Sequence, residues 1–598
     1  MSKITKEQEL LNEIEKLQKQ LEIANNRVKT AKYGLVWMEV PEAFEQETEN
    51  QMPVLEEVKE KAIKNDDGKP THILIEGDNY HALTCLNYTH KEKIDLIYID
   101  PPYNTGSDGF RYRDKRVVEK FPDGTDVPKD HPLRHSYWLS FMSKRLELAH
   151  KLLRDDGFIM ISIDDNEAPQ LKLLCDSIFG VGNHIMNYFV QVRYAGKTLV
   201  EDMEYQKLIE QVLIYRKTNK GKLLKEKEKY SVEKFNWNIK TKIPDEIIEL
   251  GGKKVEVYKP NNYEILKEEA NENLFKEIWA TGKILDGNSS GRFFRDYIIN
   301  RKDIDGLNIL YKVYGIGDDK FDYRFFTGPK KSTATKGKYF QGVPIDIYNN
   351  IDTHNKEKVI VNFADFADSF GNCRHEGGVE FRSGKKPIAF LNSIFKLILN
   401  PDKDNIILDF FAGSGSSAHS LLSINQELSR SNKFILVTNN ENNIMDDVCY
   451  PRIRNILNGW TNNVGFGDSL KYYKTSFVGK NNILSASDED KSSLAHKAGY
   501  LLAIAENTMD EIEATLYYQF FENSEKITAV YFKEEMDEMN IFLQKVEAIE
   551  KPISLYLFSW GNSSDFEGLF DHIPNLTIKT IPQPILEIYK NIYNIISA

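Results

Sequence analysis

The stretch LIYIDPPYNTG, residues 96–106, ends a strand-like apolar run on Asp100, Pro101, Pro102 and Tyr103. Adjacent prolines stiffen the backbone and remove two N–H donors, so the carbonyl oxygens and the Asp100 carboxylate form a rigid set of acceptors. Such acceptors suit both hydrogens of an exocyclic amine and direct its nitrogen lone pair at an electrophile, while Tyr103 stacks on the flat base. Taken alone, the same four residues also fit a simple turn at the end of a strand.

A glycine-containing loop in ILDFFAGSGSS, residues 407–417, is the second chemically suited segment. Its candidate residues are Asp409, Phe411, Gly413 and Gly415. Glycines after a strand allow close backbone approach to a ligand at the N-terminus of the next helix. The following strand ends in TNNEN, residues 438–442, where Asn440 or Glu441 is placed to bind ribose hydroxyls. Together these segments favour an adenosine-containing cofactor over two ordinary strand-to-helix turns.

Both motifs must lie at the ends of strands in one sheet if they are to act together. Apolar strands alternate with helices between residues 71 and 163, and one predicted helix runs from Trp138 to Gly157 with Arg154 in its last turn. The same alternation returns between residues 387 and 439. It predicts an α/β fold with a doubly wound parallel sheet, whose strands bind ligands at their carboxyl ends.

The periodicity divides the chain into five regions. They are an N-terminal helical segment (1–50), a first half of the α/β domain (51–190), an irregular middle domain (191–370), a second half of the α/β domain (371–476) and a C-terminal α/β domain (477–598). Apolar residues at helical spacing between Leu10 and Val28 predict a helix in the first region. We expect it to pack on its own domain, and a role in dimerisation stays open.

Composition narrows the class of protein. The chain has 598 residues, a net charge of −12, 41% hydrophobic residues and four widely spaced cysteines. It contains no apolar run long enough to span a membrane, and its charged N-terminus lacks the pattern of a signal peptide. Without CxxC pairs, the cysteines predict a reduced, cytoplasmic protein with no metal site. A locally basic middle and an acidic tail are compatible with nucleic-acid binding by one domain.

The order of the motifs resembles the amino-methylating DNA methyltransferases of the beta arrangement, and more closely the Mod (modification) subunits of Type III restriction-modification systems. The resemblance rests on LIEGDNYHAL (74–83), IDPPYNTGSDGFRYRD (99–114), GFIMISIDDNE (157–167), EFRSGKKP (380–387) and LDFFAGSGSSAHSL (408–421). It implies a Rossmann-like sheet in circularly permuted order, with a target-recognition domain inserted at 191–370. It also implies the cofactor S-adenosylmethionine.

Site residues follow from the resemblance by position. Asp100 to Tyr103 correspond to the catalytic motif, and Phe411, Gly413 and Gly415 to the loop under the methionine part of the cofactor, just after Asp409. Asp78 resembles the acidic residue near the cofactor adenine, and Glu441 the ribose ligand. Lys386 and Pro387 resemble the motif that leads into the cofactor-binding half.

The resemblance also implies a substrate and partners. An Asp in the first position of the catalytic motif favours N6 of an adenine that is flipped out of double-stranded DNA. Cations among aromatic and glycine residues are the candidates for DNA contacts: Arg193, Lys197, Arg292, Arg295, Lys330 and Lys331. Their alternative is a solvated, lysine-rich loop. A homodimer and an ATP-dependent restriction (Res) subunit are the implied protein partners.

Three rival functions remain open at this stage. One is a cytosine-N4 methyltransferase, and a second is an adenine methyltransferase that acts without a restriction partner. The third is a DNA-recognition subunit that keeps the fold without catalysis. The intact Asp100–Tyr103 segment and Gly413–Gly415 loop speak against the third.

Overall fold

The computed structural model describes residues 35–42, 52–65, 68–105, 114–121, 125–128, 131–196, 205–280, 289–334, 336–349, 355–381, 384–478, 488–532, 536–558 and 568–582. The predicted N-terminal helix and Lys197 lie outside these ranges. The chain forms two compact units, residues 225–360 and the remainder on both sides of that segment. Within the described residues no helix is long and apolar enough to cross a membrane.

A ten-stranded sheet forms the centre of the first unit. In spatial order its strands are Met52–Glu57, Ser469–Val478, Thr71–Glu76, Lys433–Thr438, Ile406–Asp409, Ile94–Ile99, Leu153–Ile163, Ile209–Arg216, His184–Gln191 and Phe363–Asp365. The six strands from Ser469–Val478 to Leu153–Ile163 are mutually parallel. The predicted doubly wound sheet is therefore confirmed, and segments from both halves of the sequence alternate within it.

Helices cover both faces of this sheet. They are Asn79–Thr89, Ser136–Leu152, Ala168–Phe179, Ala367–Asn372, Ile388–Phe395, Ser416–Leu428, Tyr450–Asn458 and Asp488–Glu506, with short 3₁₀ or π turns at Lys59–Lys61, Pro132–His135, Val181–Asn183, Cys373–Gly378, Glu441–Asn443 and Met445–Cys449. One further helix, Met536–Glu547, packs on the C-terminal strands described below. Alternate residues of a strand face opposite cores, as Ile97 and Tyr98 do. Helices that precede residue 180 pack on one face, and those between residues 388 and 458 pack on the other.

The helix that begins at Ser136 ends earlier than the sequence predicts. It stops at Leu152, because Leu153 is extended and pairs with Ile94 at the edge of the neighbouring strand. Gly157 lies inside the strand rather than after a helix, and an added Cβ there would approach the Ile94 carbonyl oxygen to 2.9 Å. Pairing in the sheet overrides the helical pattern of this segment.

The second unit is built on an eight-stranded antiparallel sheet. Its strands, in spatial order, are Tyr263–Lys267, Phe235–Thr241, Phe275–Ala280, Gly337–Gln341, Tyr323–Thr327, Leu310–Tyr314, Lys253–Tyr258 and Glu246–Leu250. A two-stranded ribbon, Lys227–Lys229 with Asn355–Glu357, and short helical segments at Pro260–Asn262, Ser289–Phe293, Phe294–Ile298, Ile299–Asp303 and Ile345–Tyr348 complete it. The unit spans residues 225–360 and is therefore shorter than the predicted middle domain, residues 191–370. At its start the difference arises because strand Ile209–Arg216 pairs antiparallel with Leu153–Ile163 in the first unit's sheet.

The C-terminal region contains the predicted α/β elements. Its five strands are Asp510–Ala514, Tyr518–Glu522, Ile527–Tyr531, Ile553–Leu557 and Leu576–Ile578. Helix Asp488–Glu506 contributes Leu501 and Leu502 to the same core as the helices before residue 180. The region therefore belongs to the first compact unit and shares part of its core.

Candidate active site

The two predicted motifs meet at the carboxyl ends of adjacent strands. Strand Ile406–Asp409 runs parallel to Ile94–Ile99, with Ile407 paired to Leu96. The loops that leave these strands carry the glycines and Asp100, respectively. Because ligands of open α/β sheets collect at such strand ends, this edge is the candidate site.

Buried hydrogen bonds fix the loop that contains Asp100. The indole N–H of the fully buried Trp138 donates to the Pro102 carbonyl oxygen at 2.8 Å. Asn104 then turns the chain with φ of 59°, a left-handed conformation that asparagine tolerates. Its side-chain amide donates to Glu167 at 2.6 Å. The Pro102 carbonyl thus holds the loop in place, which leaves the Asp100 carboxylate and the Pro101 carbonyl as the acceptors for an amine.

Three polar side chains, Tyr103, Glu210 and Lys386, lie around the Asp100 carboxylate, and we call these four residues the Asp100 cluster. The Tyr103 hydroxyl donates to Asp100 Oδ1 at 2.7 Å. Lys386 Nζ lies 3.1 Å from Asp100 Oδ1, 3.1 Å from Glu210 Oε2 and 2.8 Å from the Tyr103 hydroxyl. The cluster joins the catalytic loop to two segments that are remote in sequence.

The charges of the cluster oppose the effect of burial. Burial raises the pKa of Asp100 and the nearby Glu210 adds to this rise, while the Lys386 ammonium pulls the pKa back down. Burial alone would lower the pKa of Lys386, but the carboxylates of Asp100 and Glu210 raise it above its ordinary value. Lys386 therefore stays a cation and favours the ionised, hydrogen-bond-accepting form of Asp100.

Asp409 stabilises the glycine-containing loop at residues 411–415 through hydrogen bonds to its start and to the helix that follows it. Its carboxylate accepts from the Phe411 N–H at 3.0 Å and from the Ser417 hydroxyl at 2.6 Å. Burial raises the pKa of Asp409 to about 7, and these two donors oppose the rise. Both carboxylate oxygens thus bond to the loop and the helix that follows it, so Asp409 shapes the loop.

The two predicted glycines of this loop face different surroundings. Gly413 has φ of 50°, and an added Cβ would have only the Phe411 carbonyl oxygen nearby, at 3.8 Å. Gly415 has φ of 75°, and its Cβ would approach Ile453 Cδ1 to 3.1 Å. Gly413 borders the cavities described below, whereas Gly415 faces the core. Gly413 permits close approach of a ligand, and Gly415 permits close packing of the protein.

A buried arginine supports the same loop. Arg452, which is fully buried, donates to the Ser416 hydroxyl at 2.6 Å and to the Ser414 hydroxyl at 3.2 Å. Its guanidinium also lies 3.7 Å from a carboxylate oxygen of Glu376. Burial lowers the pKa of Arg452 to about 10, so the side chain remains charged at neutral pH.

A cavity of about 590 Å³ opens above these strand ends. Its lining includes Gly77, Asp78, Asn79, Asp100, Pro102, Arg116, Phe141, Phe410, Phe411, Gly413, Thr438, Asn439, Glu441 and Ile444. A second cavity of about 420 Å³ shares Asp100, Phe411, Gly413 and Ile444 with the first and adds Lys386, Asp409 and Phe381, among others. Asp100 and Gly413 thus border both spaces, which adjoin each other.

Asp78 lies at one end of the larger cavity. It caps helix Asn79–Thr89 by accepting from the Tyr80 N–H at 2.8 Å. The buried Arg145 lies 3.2 Å from the Asp78 carboxylate and 2.6 Å from that of Glu42. Arg145 therefore holds Asp78 at the cavity wall as an oriented acceptor.

The choice between Asn440 and Glu441 as ribose ligand is narrowed by their contacts. The Asn440 side chain accepts from the Met445 N–H at 3.1 Å and donates to Asp446 at 2.7 Å, so it caps the following turn. Asn440 does not border the larger cavity, whereas Glu441 does. Glu441 is thus the better placed of the two.

The remaining predicted pair, Lys386 and Pro387, lies directly before helix Ile388–Phe395. Lys386 contacts the Asp100 cluster and borders the smaller cavity. Pro387 precedes helix Ile388–Phe395 as its N-terminal boundary and borders neither cavity. Lys386 therefore serves the catalytic loop directly, and Pro387 sets the start of a helix.

One of the cations predicted to contact DNA, Arg193, lies next to the first unit's sheet. Arg193 follows strand His184–Gln191 and donates to the Lys207 carbonyl oxygen at 3.1 Å. Lys197 lies outside the described residues. Nothing in these contacts tests a role in DNA binding, which stays a prediction for both.

The other four predicted cations lie in the second unit. Arg292 is exposed on helix Ser289–Phe293, and the half-buried Arg295 pairs with Asp296 at 2.6 Å. Lys330 and Lys331 are exposed in the loop after strand Tyr323–Thr327. Their exposure fits phosphate contacts, and their role also stays a prediction.

The cavity fits a nucleoside-containing ligand. Gly413 supplies bare backbone at its wall, and Asp78 and Glu441 supply acceptors for an amine and for hydroxyls. The residues present thus fit the adenosine part of S-adenosylmethionine, and Asp100 borders the same cavity.

Comparisons with known proteins show which family the chain belongs to. The model of a family described as DNA methylase, N6_N4_Mtase, matches residues 94–450. The chain is 29% identical over 399 residues to the Type III restriction-modification enzyme StyLTI Mod subunit of Salmonella typhimurium, covering 62% of this chain and 53% of that one. The EcoP15I Mod subunit of Escherichia coli is 27% identical, with 61% and 58% covered. The chain thus spans little more than half the length of these relatives.

Two further similarities complete the comparison. The Type II methyltransferase M.KpnI of Klebsiella pneumoniae is 28% identical over 374 residues, covering 61% of this chain and 79% of that one. Among solved structures, the PvuII DNA methyltransferase (cytosine-N4-specific) matches with 10% identity and a TM-score of 0.30, covering 67% of this chain and 90% of that one.

Proposed function

Because the chain belongs to the DNA methylase family, whose model matches residues 94–450, we propose that it methylates adenine N6 in DNA with S-adenosylmethionine as donor. The observation that carries the proposal is that Asp100 and Gly413 border the same two adjoining cavities. The catalytic loop and the glycine loop thus face one space, although they are far apart in sequence.

The residues of the chain have distinct tasks in this reaction. Gly413, Asp78 and Glu441 hold the cofactor, and Asp100 with the Pro101 carbonyl accepts the two hydrogens of the target amine. When bound, S-adenosylmethionine would supply a methyl carbon activated by its sulfonium group. Asp100 and the Pro101 carbonyl would keep the N6 lone pair directed at this carbon, and N6 would lose one proton. Trp138 keeps the loop rigid, so the acceptors need no rearrangement in the transition state.

The target base must leave the duplex to reach Asp100, since its amine is paired inside double-stranded DNA. Contacts around the extruded base offset the cost of unstacking, which is about a few kcal/mol. We assign these contacts to the unit at residues 225–360 as the target-recognition domain, with Arg292, Arg295, Lys330 and Lys331 as phosphate ligands and Arg193 as a further candidate.

The proposal for the whole assembly is supported by the relatives, which are named as Mod subunits of Type III enzymes. We extend this to the chain as a proposal: it is the recognition and modification subunit of such a system, acts as a homodimer and associates with an ATP-dependent restriction subunit. Co-expression with a candidate restriction subunit, followed by size determination in solution, tests the partnership. A monomer that binds no such subunit contradicts it.

The enzymatic proposal is tested by mass spectrometry of nucleosides from DNA treated with the purified protein and S-adenosylmethionine. We expect N6-methyladenine from the wild type and a loss of at least about 10²-fold in Asp100→Asn, which keeps the shape of the side chain but not its charge. Asp155→Asn is a matched control, because that carboxylate is exposed and pairs with Lys220 at the start of the adjacent strand.

The outcome also separates the rival functions. N4-methylcytosine in place of N6-methyladenine overturns the choice of target base. Absence of either product from the wild type, with DNA binding retained, favours a recognition subunit without catalysis. Equal activity of Asp100→Asn and the wild type removes Asp100 from the mechanism.

A further inference from the structure

Glu210 is a half-buried acid in the Asp100 cluster that borders neither of the two cavities. It lies on strand Ile209–Arg216, which pairs antiparallel with Leu153–Ile163. Its Oε2 atom is 3.1 Å from Lys386 Nζ and 3.2 Å from the Tyr103 hydroxyl. Glu210 therefore contacts both groups that contact Asp100, without reaching the reaction space itself.

The hydrogen bonds of the cluster place Asp100 and Glu210 in competition. Tyr103 has one hydroxyl hydrogen, and its oxygen lies 2.7 Å from Asp100 Oδ1 and 3.2 Å from Glu210 Oε2. Lys386 is equidistant from the two carboxylates, at 3.1 Å. A hydroxyl hydrogen can serve only one acceptor at a time, so a shift of Tyr103 toward Glu210 releases one lone pair of Asp100.

We propose that Glu210 is a positioning residue of the methyl-transfer site: it shares Lys386 with Asp100 and offers Tyr103 an alternative acceptor, so that the Asp100 carboxylate, which Lys386 keeps ionised, can turn to the target amine. The proposal rests on the proposed function for the identity of the amine. In this arrangement Lys386 supplies the positive charge that keeps Asp100 an anion. Glu210 also attracts Lys386, which limits how strongly Lys386 interacts with Asp100.

The surroundings of the cluster make this balance measurable. The exposed fractions of the Lys386, Asp100 and Glu210 side chains are 9%, 18% and 27%. Charges act strongly on each other at such partly buried positions. The other titratable groups that face Asp100 are Tyr98 on its own strand and Asp409 on the next, with Arg116 and Asp78 across the larger cavity.

Removing the two charges should move the ionisation of Asp100 in opposite directions. Lys386→Met removes the cation, so we expect the acidic limb of the methylation rate to move to higher pH by about one unit. Glu210→Gln removes a neighbouring anion and leaves Lys386 wholly to Asp100, so we expect the limb to move to lower pH by a similar amount. A purely structural role would reduce the rate at every pH and leave the limb where it is.

The experiment measures kcat between pH 5 and 9 for the full-length wild type, Glu210→Gln, Lys386→Met and Lys386→Arg. Lys386→Arg keeps the charge, so its acidic limb should stay near that of the wild type. Glu92→Gln is the matched control, because Glu92 is 63% exposed and pairs with Lys217 outside the cluster. Its profile should match the wild type.

A second readout needs neither cofactor nor DNA. Infrared difference spectra between each variant and the same variant carrying Asp100→Asn report the protonated carboxyl band of Asp100 as the pH is changed. Opposite shifts of this band in Glu210→Gln and Lys386→Met support the proposal. Unmoved bands, or shifts of the same sign, overturn it.

The two readouts separate this inference from the proposed function. A wild type that methylates no DNA contradicts the proposed function, and the infrared titration still decides the role of Glu210. A wild type that methylates DNA, with the same acidic limb in Glu210→Gln, contradicts the inference alone. If Lys386→Met does not fold, Glu210→Gln and Lys386→Arg carry the test.

Discussion

Gly413 and Gly415 offer a paired test of the cofactor site, because they share a backbone conformation and differ in what a side chain would meet. Both have positive φ, 50° and 75°. A methyl group at Gly413 enters the open cavity, and one at Gly415 approaches Ile453 Cδ1 to 3.1 Å in the core. We therefore compare Gly413→Ala with Gly415→Ala.

The expected magnitudes follow from this geometry. Each substitution places alanine in the left-handed region, which costs roughly 1–2 kcal/mol of stability. Only Gly413→Ala places a methyl group where the ligand lies. Overpacking by one methyl group costs about 1–3 kcal/mol, which corresponds to a dissociation constant raised roughly 5- to 150-fold. Gly415→Ala adds crowding against Ile453 to its backbone cost, so its loss is in folding stability.

Calorimetric titration with S-adenosylmethionine and thermal unfolding measure the two quantities separately. We expect weak cofactor binding with a modest loss of stability in Gly413→Ala. In Gly415→Ala we expect binding near the wild-type value and the larger loss of stability. Wild-type affinity in Gly413→Ala would refute the placement of the cofactor beside this glycine, and so would a selective loss of affinity in Gly415→Ala.

Four further substitutions test other parts of the site. Trp138→Phe removes the donor to the Pro102 carbonyl, so we expect a loss of about 1–3 kcal/mol in unfolding free energy and slower methylation; unchanged values of both would contradict the loop's dependence on Trp138. Burial raises the pKa of Asp409 to about 7 from an ordinary 3.8, so the folded protein holds this proton more tightly than the unfolded chain does. The free energy of unfolding of the wild type, measured by denaturant titration, should therefore fall by about 1.4 kcal/mol for each unit that the pH rises between about pH 4 and 7. Asp409→Asn should lack this fall, and an identical slope in both proteins would contradict it. Glu441→Ala should weaken cofactor binding about tenfold in calorimetry, whereas Asn440→Ala should chiefly lower the thermal unfolding temperature, and the reverse pattern would assign the ribose to Asn440.

The central sheet and its two motif loops were predictable because their signals are local. Apolar runs such as Ile94–Ile99 end on residues that are typical of loops, as Asp100 and the prolines after it are. The alternation of such strands with helices predicts that neighbouring strands of the sheet run parallel. The end of the helix at Leu152 was not predictable in the same way. Its sequence continues the helical pattern, and the pairing of Leu153 with Ile94 is a contact between distant segments.

Glu210 and Trp138 show why part of the site could not be predicted from the sequence. Glu210 lies at the polar start of strand Ile209–Arg216. An acid at such a position is ordinarily expected to be exposed to solvent. Its role depends on the antiparallel pairing with Leu153–Ile163, which brings it to Lys386. Trp138 reads as an apolar helix residue, and only its direction toward Pro102 reveals its use as a donor. For Lys386 the sequence gives a local signal, because it follows Lys385 and directly precedes Pro387. The sequence does not show that its partners are Asp100 and Glu210.

The interleaved sheet has a consequence for biosynthesis. Thr71–Glu76 emerges early from the ribosome, yet its two neighbours in the sheet, Lys433–Thr438 and Ser469–Val478, are translated hundreds of codons later. The early strands must therefore wait as unpaired, apolar edges while the unit at residues 225–360 is made and folds. Any premature stop before residue 469 leaves this sheet open on one side, so truncated messages yield aggregation-prone fragments rather than partly active enzyme.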